Sequence, residues 1–160
     1  MPLLDAVVKE SLRVLPPVPL HPRIIAEDHE LLGYHLPAGS ELFLSTYHTH
    51  QDPTVFEDPR LFSPRRWETI KPTVYEYNPF SAGPRMCIGA SVATMEIKIV
   101  LATLLQRFHL EMPSGTRIDP RVAITMSPRG GLRMTVRDRK TALKHSSVSG
   151  RVRALVKLAA

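Results

Sequence analysis

The residues with the most chemical content are ten in a row, Phe80-Ser81-Ala82-Gly83-Pro84-Arg85-Met86-Cys87-Ile88-Gly89, which hold the chain's only cysteine. A lone cysteine has no partner for an internal disulfide, and without a second thiol or a neighbouring histidine pair it cannot complete a tetrahedral zinc site. Core packing, nucleophilic catalysis and ligation of a cofactor-held metal stay open to it. The neighbours bear on that choice. Pro84 stops a helix from running in, Gly83 permits a tight loop, and the apolar run from Ile88 reads as a long helix, so Cys87 falls at or just before a helix N-terminus. The free N–H groups and positive dipole end there lower a thiol pKa and tune the potential of any iron the sulfur binds. Arg85 would set a fixed cation beside the site, suited to bidentate pairing with a carboxylate. Gly89 lets backbone or a flat ring approach closely, and Phe80 is placed to pack over the sulfur side.

The elements that must position this stretch are legible in part. Leu3 to Leu15 has the spacing of an amphipathic helix, with Leu4, Val7 or Val8, Leu12 and Leu15 on one face and Pro16-Pro17 ending it. Glu10 and Arg13 on that helix read, by themselves, as a surface ion pair worth roughly 0.2–0.5 kcal/mol. Val14 to Pro22 is proline-rich and extended, and Arg23 to Ala26 is a strand candidate. Leu31 to Thr46 alternates apolar runs with turn signals, which predicts a small antiparallel sheet. His48 and His50 have no third ligand at metal-binding spacing and read as structural. Asp52 to Pro79 carries five prolines and little periodicity, a long irregular segment. Ile88 to Phe108 is apolar nearly all round, which predicts a buried helix. Val122–Met126 and Leu132–Val136, joined by Ser127-Pro128-Arg129-Gly130-Gly131, predict a hairpin.

Phe80, Gly83, Arg85, Cys87 and Gly89 meet every fixed position of Phe-x-x-Gly-x-Arg-x-Cys-x-Gly, and the chain resembles the C-terminal part of a cytochrome P450. The resemblance implies an α+β, mainly helical fold with small antiparallel sheets and a long irregular meander. It implies haem b (iron protoporphyrin IX), with Cys87 thiolate as the axial ligand of the iron and Arg85 on a propionate. Phe80, Gly83 and Gly89 belong to the same cofactor site, and Arg23 would meet the second propionate. Glu10-Ser-Leu-Arg13 matches the family's Glu-x-x-Arg, and Phe62-Ser63-Pro64-Arg65-Arg66-Trp67 its Pro-x-Arg-aromatic motif. Together these make Glu10, Arg13 and Arg66 a buried structural triad behind the cysteine loop. Arg65 stands where most members have Glu, and Trp67 replaces the commoner Phe. Val18, Pro19, Leu20, Ile124, Thr125 and Met126 are the implied substrate-lining positions.

Composition narrows the field further. The 160 residues are 43% hydrophobic and 22% charged, ordinary for a soluble globular protein. No apolar run of about 18 residues and no signal peptide is visible. The net charge of +6 belongs to the tail: from Arg133 to Ala160 there are eight Lys/Arg and one acid, leaving the rest near neutral. Nucleic acid is therefore not an expected partner. The expected division is 1–137 as an incomplete P450 haem domain and 138–160 as a basic, mobile tail.

The implied activity is that of a haem-thiolate monooxygenase, inserting one oxygen atom of O2 into a small apolar substrate with electrons from a ferredoxin or a flavoprotein reductase. No catalytic residue is assigned, because the family's distal acid-alcohol pair has no counterpart here. The isolated chain is expected to be inactive. A soluble cytoplasmic setting is favoured, with anchoring through a missing N-terminal segment as the other possibility. Two further readings are a non-catalytic haem-binding or interaction remnant, and haem-free thiol chemistry at Cys87, which lacks a positioned base.

Overall fold

Pro2–Val14 forms the first helix, α1, in the computed structural model, which describes residues 1–142, 144 and 146–158. Proline suits a helix's first turn, where its missing N–H has no intrahelical acceptor to lose. Of the expected stripe, Val8 is buried while Leu4, Val7, Leu12 and Leu15 are half-buried, and Ala6, Glu10, Arg13 and Val14 are out of water with Val8. The charged pair therefore lies on the most buried face of α1, and the surface-pair reading fails.

The extended segment leads into β1 (Leu20–Ile24), β2 (His29–Leu31), β3 (Tyr34–Leu36) and β4 (Glu41–Ser45). β1 pairs antiparallel with β4, and β2 with β3. One turn of helix, α2 (Thr46–Thr49), follows, its N-terminus capped by Ser45 Oγ, which accepts from the His48 amide. The irregular segment then contains β5 (Leu61–Phe62) and a 3₁₀ turn over Pro64–Glu68. A second 3₁₀ turn, Gly83–Arg85, precedes the long helix α3 (Ala90–Arg107).

After α3 come β6 (Phe108–Glu111), β7 (Thr116–Arg117), β8 (Pro120–Val122), β9 (Met126–Pro128) and β10 (Thr135–Asp138). The expected hairpin is displaced. β8 turns through Ala123, Ile124 and Thr125 into β9, while β10 pairs antiparallel with β6. The apolar run 122–126 holds the turn itself, and the following strand finds its partner at the edge left by the end of α3.

The described part of 138–160 carries regular elements; residues 143, 145, 159 and 160 lie outside the described residues. β11 (Val148–Ser149) runs parallel to β7, a short helix α4 (Val152–Leu155) follows, and β12 (Lys157–Leu158) runs parallel to β5. Backbone bonds hold this segment: Ile118 N–H donates to Ser149 at 2.9 Å, Val152 N–H to Ile118 at 3.1 Å and Lys157 N–H to Arg60 at 2.8 Å. Basic composition said nothing of these bonds. The sheets are accordingly not all antiparallel, and the described chain is less helical than expected, with long helices only at α1 and α3.

The enclosed centre is small and largely polar. Ala6, Val8, Val14 and Phe56 share it with Glu10, Arg13, Thr46 and His50. α3, expected to be buried all round, packs on α1 and β6 but leaves Val92, Met95 and Ile99 more than half exposed. Periodicity identifies the apolar sides of a helix, not what covers them. No helix is long and apolar enough to cross a membrane among the described residues.

Candidate functional site

Five donors converge on the Glu10 carboxylate. Its Oε1 accepts from Arg13 Nη2 at 2.8 Å, the Ser63 amide at 2.9 Å and Arg66 Nε at 3.0 Å. Its Oε2 accepts from Arg13 Nε at 2.9 Å and Trp67 Nε1 at 3.0 Å. Burial opposes the charge, but the Arg13 guanidinium, the Ser63 N–H and Arg66 outweigh it and hold the carboxyl below its usual range. The two guanidiniums spend their remaining donors on backbone carbonyls: Arg13 on His50 at 2.8 Å, Arg66 on Glu57 at 2.6 Å and Leu61 at 3.0 Å. The expected trio of Glu10, Arg13 and Arg66 is thus brought together. A buried carboxylate with its lone pairs filled in this way is a fixed point on which irregular backbone can be hung.

Sequence reasoning missed two of its partners. Ser63 acts through its main chain, which no side-chain pattern reveals. Trp67 was visible as a replacement for Phe, and its indole N–H was the available signal, since a donor in that position needs an acceptor when buried.

A layer of aromatic rings surrounds the cluster. Arg13 lies over the Phe56 ring at 5.0 Å, and Trp67 meets Tyr77 edge-on at 4.6 Å. His50, wholly buried, stacks on Tyr77 at 5.2 Å. Its Nδ1 is 3.2 Å from the Arg13 carbonyl, and its Nε2 accepts the Asn78 amide at 3.0 Å. Burial, with the Arg13 charge as a further cause, lowers its pKa to about 4. His48 Nδ1 instead lies 3.0 Å from Ser45 Oγ.

The cysteine loop follows directly. Ser81, at φ 66, donates its amide to Asn78 at 2.9 Å, and Cys87 donates its amide back to Phe80, also at 2.9 Å. Gly83 takes φ 69 at the start of the 3₁₀ turn, a left-handed conformation that glycine adopts without a side-chain clash. Cys87 is exposed and precedes Gly89, the N-cap of α3. A Cβ on Gly89 would stand 3.8 Å from Cys87 Sγ, so glycine keeps that flank of the sulfur open. Arg85 is exposed and has no acidic partner among the described residues.

Arg23 lies half-buried on β1 with one bond, from Nη1 to the Pro22 carbonyl at 2.9 Å. Pro19, Leu20 and Met126 border one apolar cavity of about 480 Å³, shared with Tyr47, Val122 and Leu155. The Met126 amide donates to the Pro17 carbonyl at 2.7 Å, which ties the β8–β9 hairpin to the proline-rich segment. Val18 is half-buried outside that cavity lining, and Ile124 and Thr125 stand exposed at the hairpin turn.

The family model for cytochrome P450 matches residues 1–133, which contain the whole charge cluster and the cysteine loop. The chain belongs to the cytochrome P450 family. Cytochrome P450 4V2 of Rattus norvegicus is 46% identical over 111 residues, 68% of this chain and 21% of that protein. Cytochrome P450 4d2 of Drosophila melanogaster is 38% identical over 138 residues, covering 85% of this chain and 27% of the relative. Among solved P450 structures, retinoic acid bound cyanobacterial CYP120A1 superposes with a TM-score of 0.79 at 31% identity, over 86% of this chain and 33% of that one. The P450 chain described here therefore spans between a fifth and a third of the length of these proteins. The strands β11 and β12 lie beyond the matched residues.

Proposed function

We propose that these residues are the cysteine-ligand portion of a haem-thiolate monooxygenase, which in the complete enzyme inserts one oxygen atom of O2 into a small apolar substrate. The observation that carries the reading is the exposed Cys87 at the end of a loop closed by its own amide, ahead of α3 and backed by a buried carboxylate–guanidinium cluster. The donor set suits haem b: one accessible thiol, a glycine beside the sulfur, and two arginines, Arg85 and Arg23, without acidic partners among the described residues. Haem, when bound, supplies the oxygen chemistry.

The chain's own residues have narrower tasks in this reading. Cys87 would hold the iron through Sγ, just ahead of the N-terminal end of α3. Arg85 and Arg23 would orient the cofactor through its propionates, as planar cations suited to carboxylates. Phe80, Gly83 and Gly89 would shape the wall that the ring lies against. The cavity shared by Pro19, Leu20 and Met126, with Val18, Ile124 and Thr125 near it, favours an apolar substrate kept from water. Electrons would come from a ferredoxin or a flavoprotein reductase.

Spectra decide the matter. The chain should be placed behind the preceding segment of a P450 relative, supplied with haem, reduced with dithionite and exposed to CO. A red-shifted thiolate Soret band, lost in Cys87→Ser, is the expected result; a band typical of nitrogen ligation in the unsubstituted protein would refute the assignment. The chain alone is expected to hold haem weakly or not at all.

A further inference from the structure

His50 is buried and meets the charge cluster only through its carbonyl, which accepts from Arg13; its ring has no task in the proposed chemistry, yet both ring nitrogens are committed. Nδ1 faces a carbonyl oxygen, that of Arg13, and so must carry the proton. Nε2 faces the Asn78 N–H and so must offer its lone pair. The two contacts together select one neutral tautomer. They also join two regions far apart in the chain, the last turn of α1 and the first residue of the turn that opens the cysteine loop.

From Asn78 the connection continues through the backbone. The Asn78 carbonyl accepts from Ser81, and the neighbouring Phe80 carbonyl accepts from Cys87. Two elements surround the imidazole. Arg13 of α1 brings a guanidinium that bonds the His50 carbonyl, and the irregular segment brings Phe56 and the Tyr77 phenol side chain, which stacks on the ring face. Arg13 and Tyr77 are thus the charged and titratable groups that face it, and Glu10 reaches it only through Arg13.

We propose that His50 is a positioning residue that fixes the start of the cysteine loop to α1, as a neutral Nδ1–H imidazole spanning the Arg13 carbonyl and the Asn78 amide. In this arrangement the register of Phe80 to Cys87 is set from the buried cluster, before any cofactor binds. A protonated ring would point a second N–H at the Asn78 N–H, so the tether exists only in the neutral form. The proposal rests on the haem-thiolate reading solely for what the loop later holds; the tether is a property of the chain itself.

The test uses the 160-residue chain without haem. Nitrogen NMR of His50 at neutral pH should show a protonated Nδ1 and a bare Nε2; the reverse tautomer, or a charged ring, overturns the proposal without any variant. Amide exchange supplies a second readout. His50→Phe should lower protection of the Asn78 amide at least tenfold while the amides of α1 stay protected. His50→Gln, which offers one donor and one acceptor, should restore most of it and abolish the dependence on acid. Unchanged protection at Asn78 in His50→Phe refutes the tether. If His50 behaves as expected but the haem-loaded chimera lacks the thiolate band, the functional reading fails and the tether stands.

Discussion

Arg13 grips Glu10 from three residues along the same helix, its Nε and Nη2 on the two carboxylate oxygens at 2.9 and 2.8 Å, with neither side chain exposed. The fork geometry leaves one face of the carboxylate free for Ser63, Arg66 and Trp67. Two charges taken fully out of water are tolerable only because nearly every donor and lone pair has a partner.

Glu10→Gln should therefore cost far more than a surface ion pair. The amide nitrogen that replaces one oxygen cannot accept, so the donors on that oxygen lose their partner, and Arg13 and Arg66 are left in a dry site without a counter-charge. The expected loss is about 3–5 kcal/mol of folding stability, read as a lower urea midpoint. A loss under about 1 kcal/mol would mean that water reaches the cluster.

Trp67→Phe isolates a single donor. The ring still fills the space against Tyr77 and Phe56, but Glu10 Oε2 loses the indole N–H. A hydrogen bond to a buried charge contributes about 1.5–3 kcal/mol, so the variant should fall within that range by denaturant unfolding.

Acid should weaken the fold in two stages. His50 has its pKa lowered from 6.5 to about 4 by burial, so the unfolded chain takes up its proton first. Its contribution is complete above pH 6.5, declines as the pH falls, and is gone near 4, a total of about 3 kcal/mol. Glu10, held below its ordinary value, loses its contribution as the pH falls beneath the normal carboxylate range. His21 is shifted downward as well, by burial and then by Arg23, and adds to the first stage. Stability measured from pH 8 to 4 in wild type and His50→Gln should differ by a slope confined to the interval between 6.5 and 4.

Gly150→Ala tests the docking of the C-terminal segment. Gly150 sits at φ 91, and an added Cβ would lie 2.6 Å from the Ile118 carbonyl oxygen and 3.0 Å from Asp119 Oδ1. Backbone cannot retreat as a flexible side chain can. Limited proteolysis should cut residues 146–158 much faster in the variant, with the helical circular dichroism of α1 and α3 retained. Equal cleavage rates would show that the segment is not held there.

How much of this was legible beforehand depended on the range of the interaction. α3 was expected over Ile88 to Phe108 and runs Ala90–Arg107, because helix periodicity is local and Gly89 marks its start. Glu10, Arg13 and Arg66 were named through motif resemblance; charge spacing alone pointed to the surface. The β10–β6 pairing and the docked tail were missed for one reason: both depend on backbone groups finding partners far along the chain, and side-chain pattern carries no record of that. His50 was read as structural, but its two bonds, to Arg13 and Asn78, are again main-chain contacts.

The crowding at Glu10 also dictates an order of events. Ser63, Arg66 and Trp67 come from a stretch with almost no ladder of its own, and they converge on an acid that is aimed only once α1 has wound. Helix winding, which is local and fast, is expected to precede a loop closure of about fifty residues, so the irregular 28 residues from Asp52 to Pro79 gather on one acidic side chain.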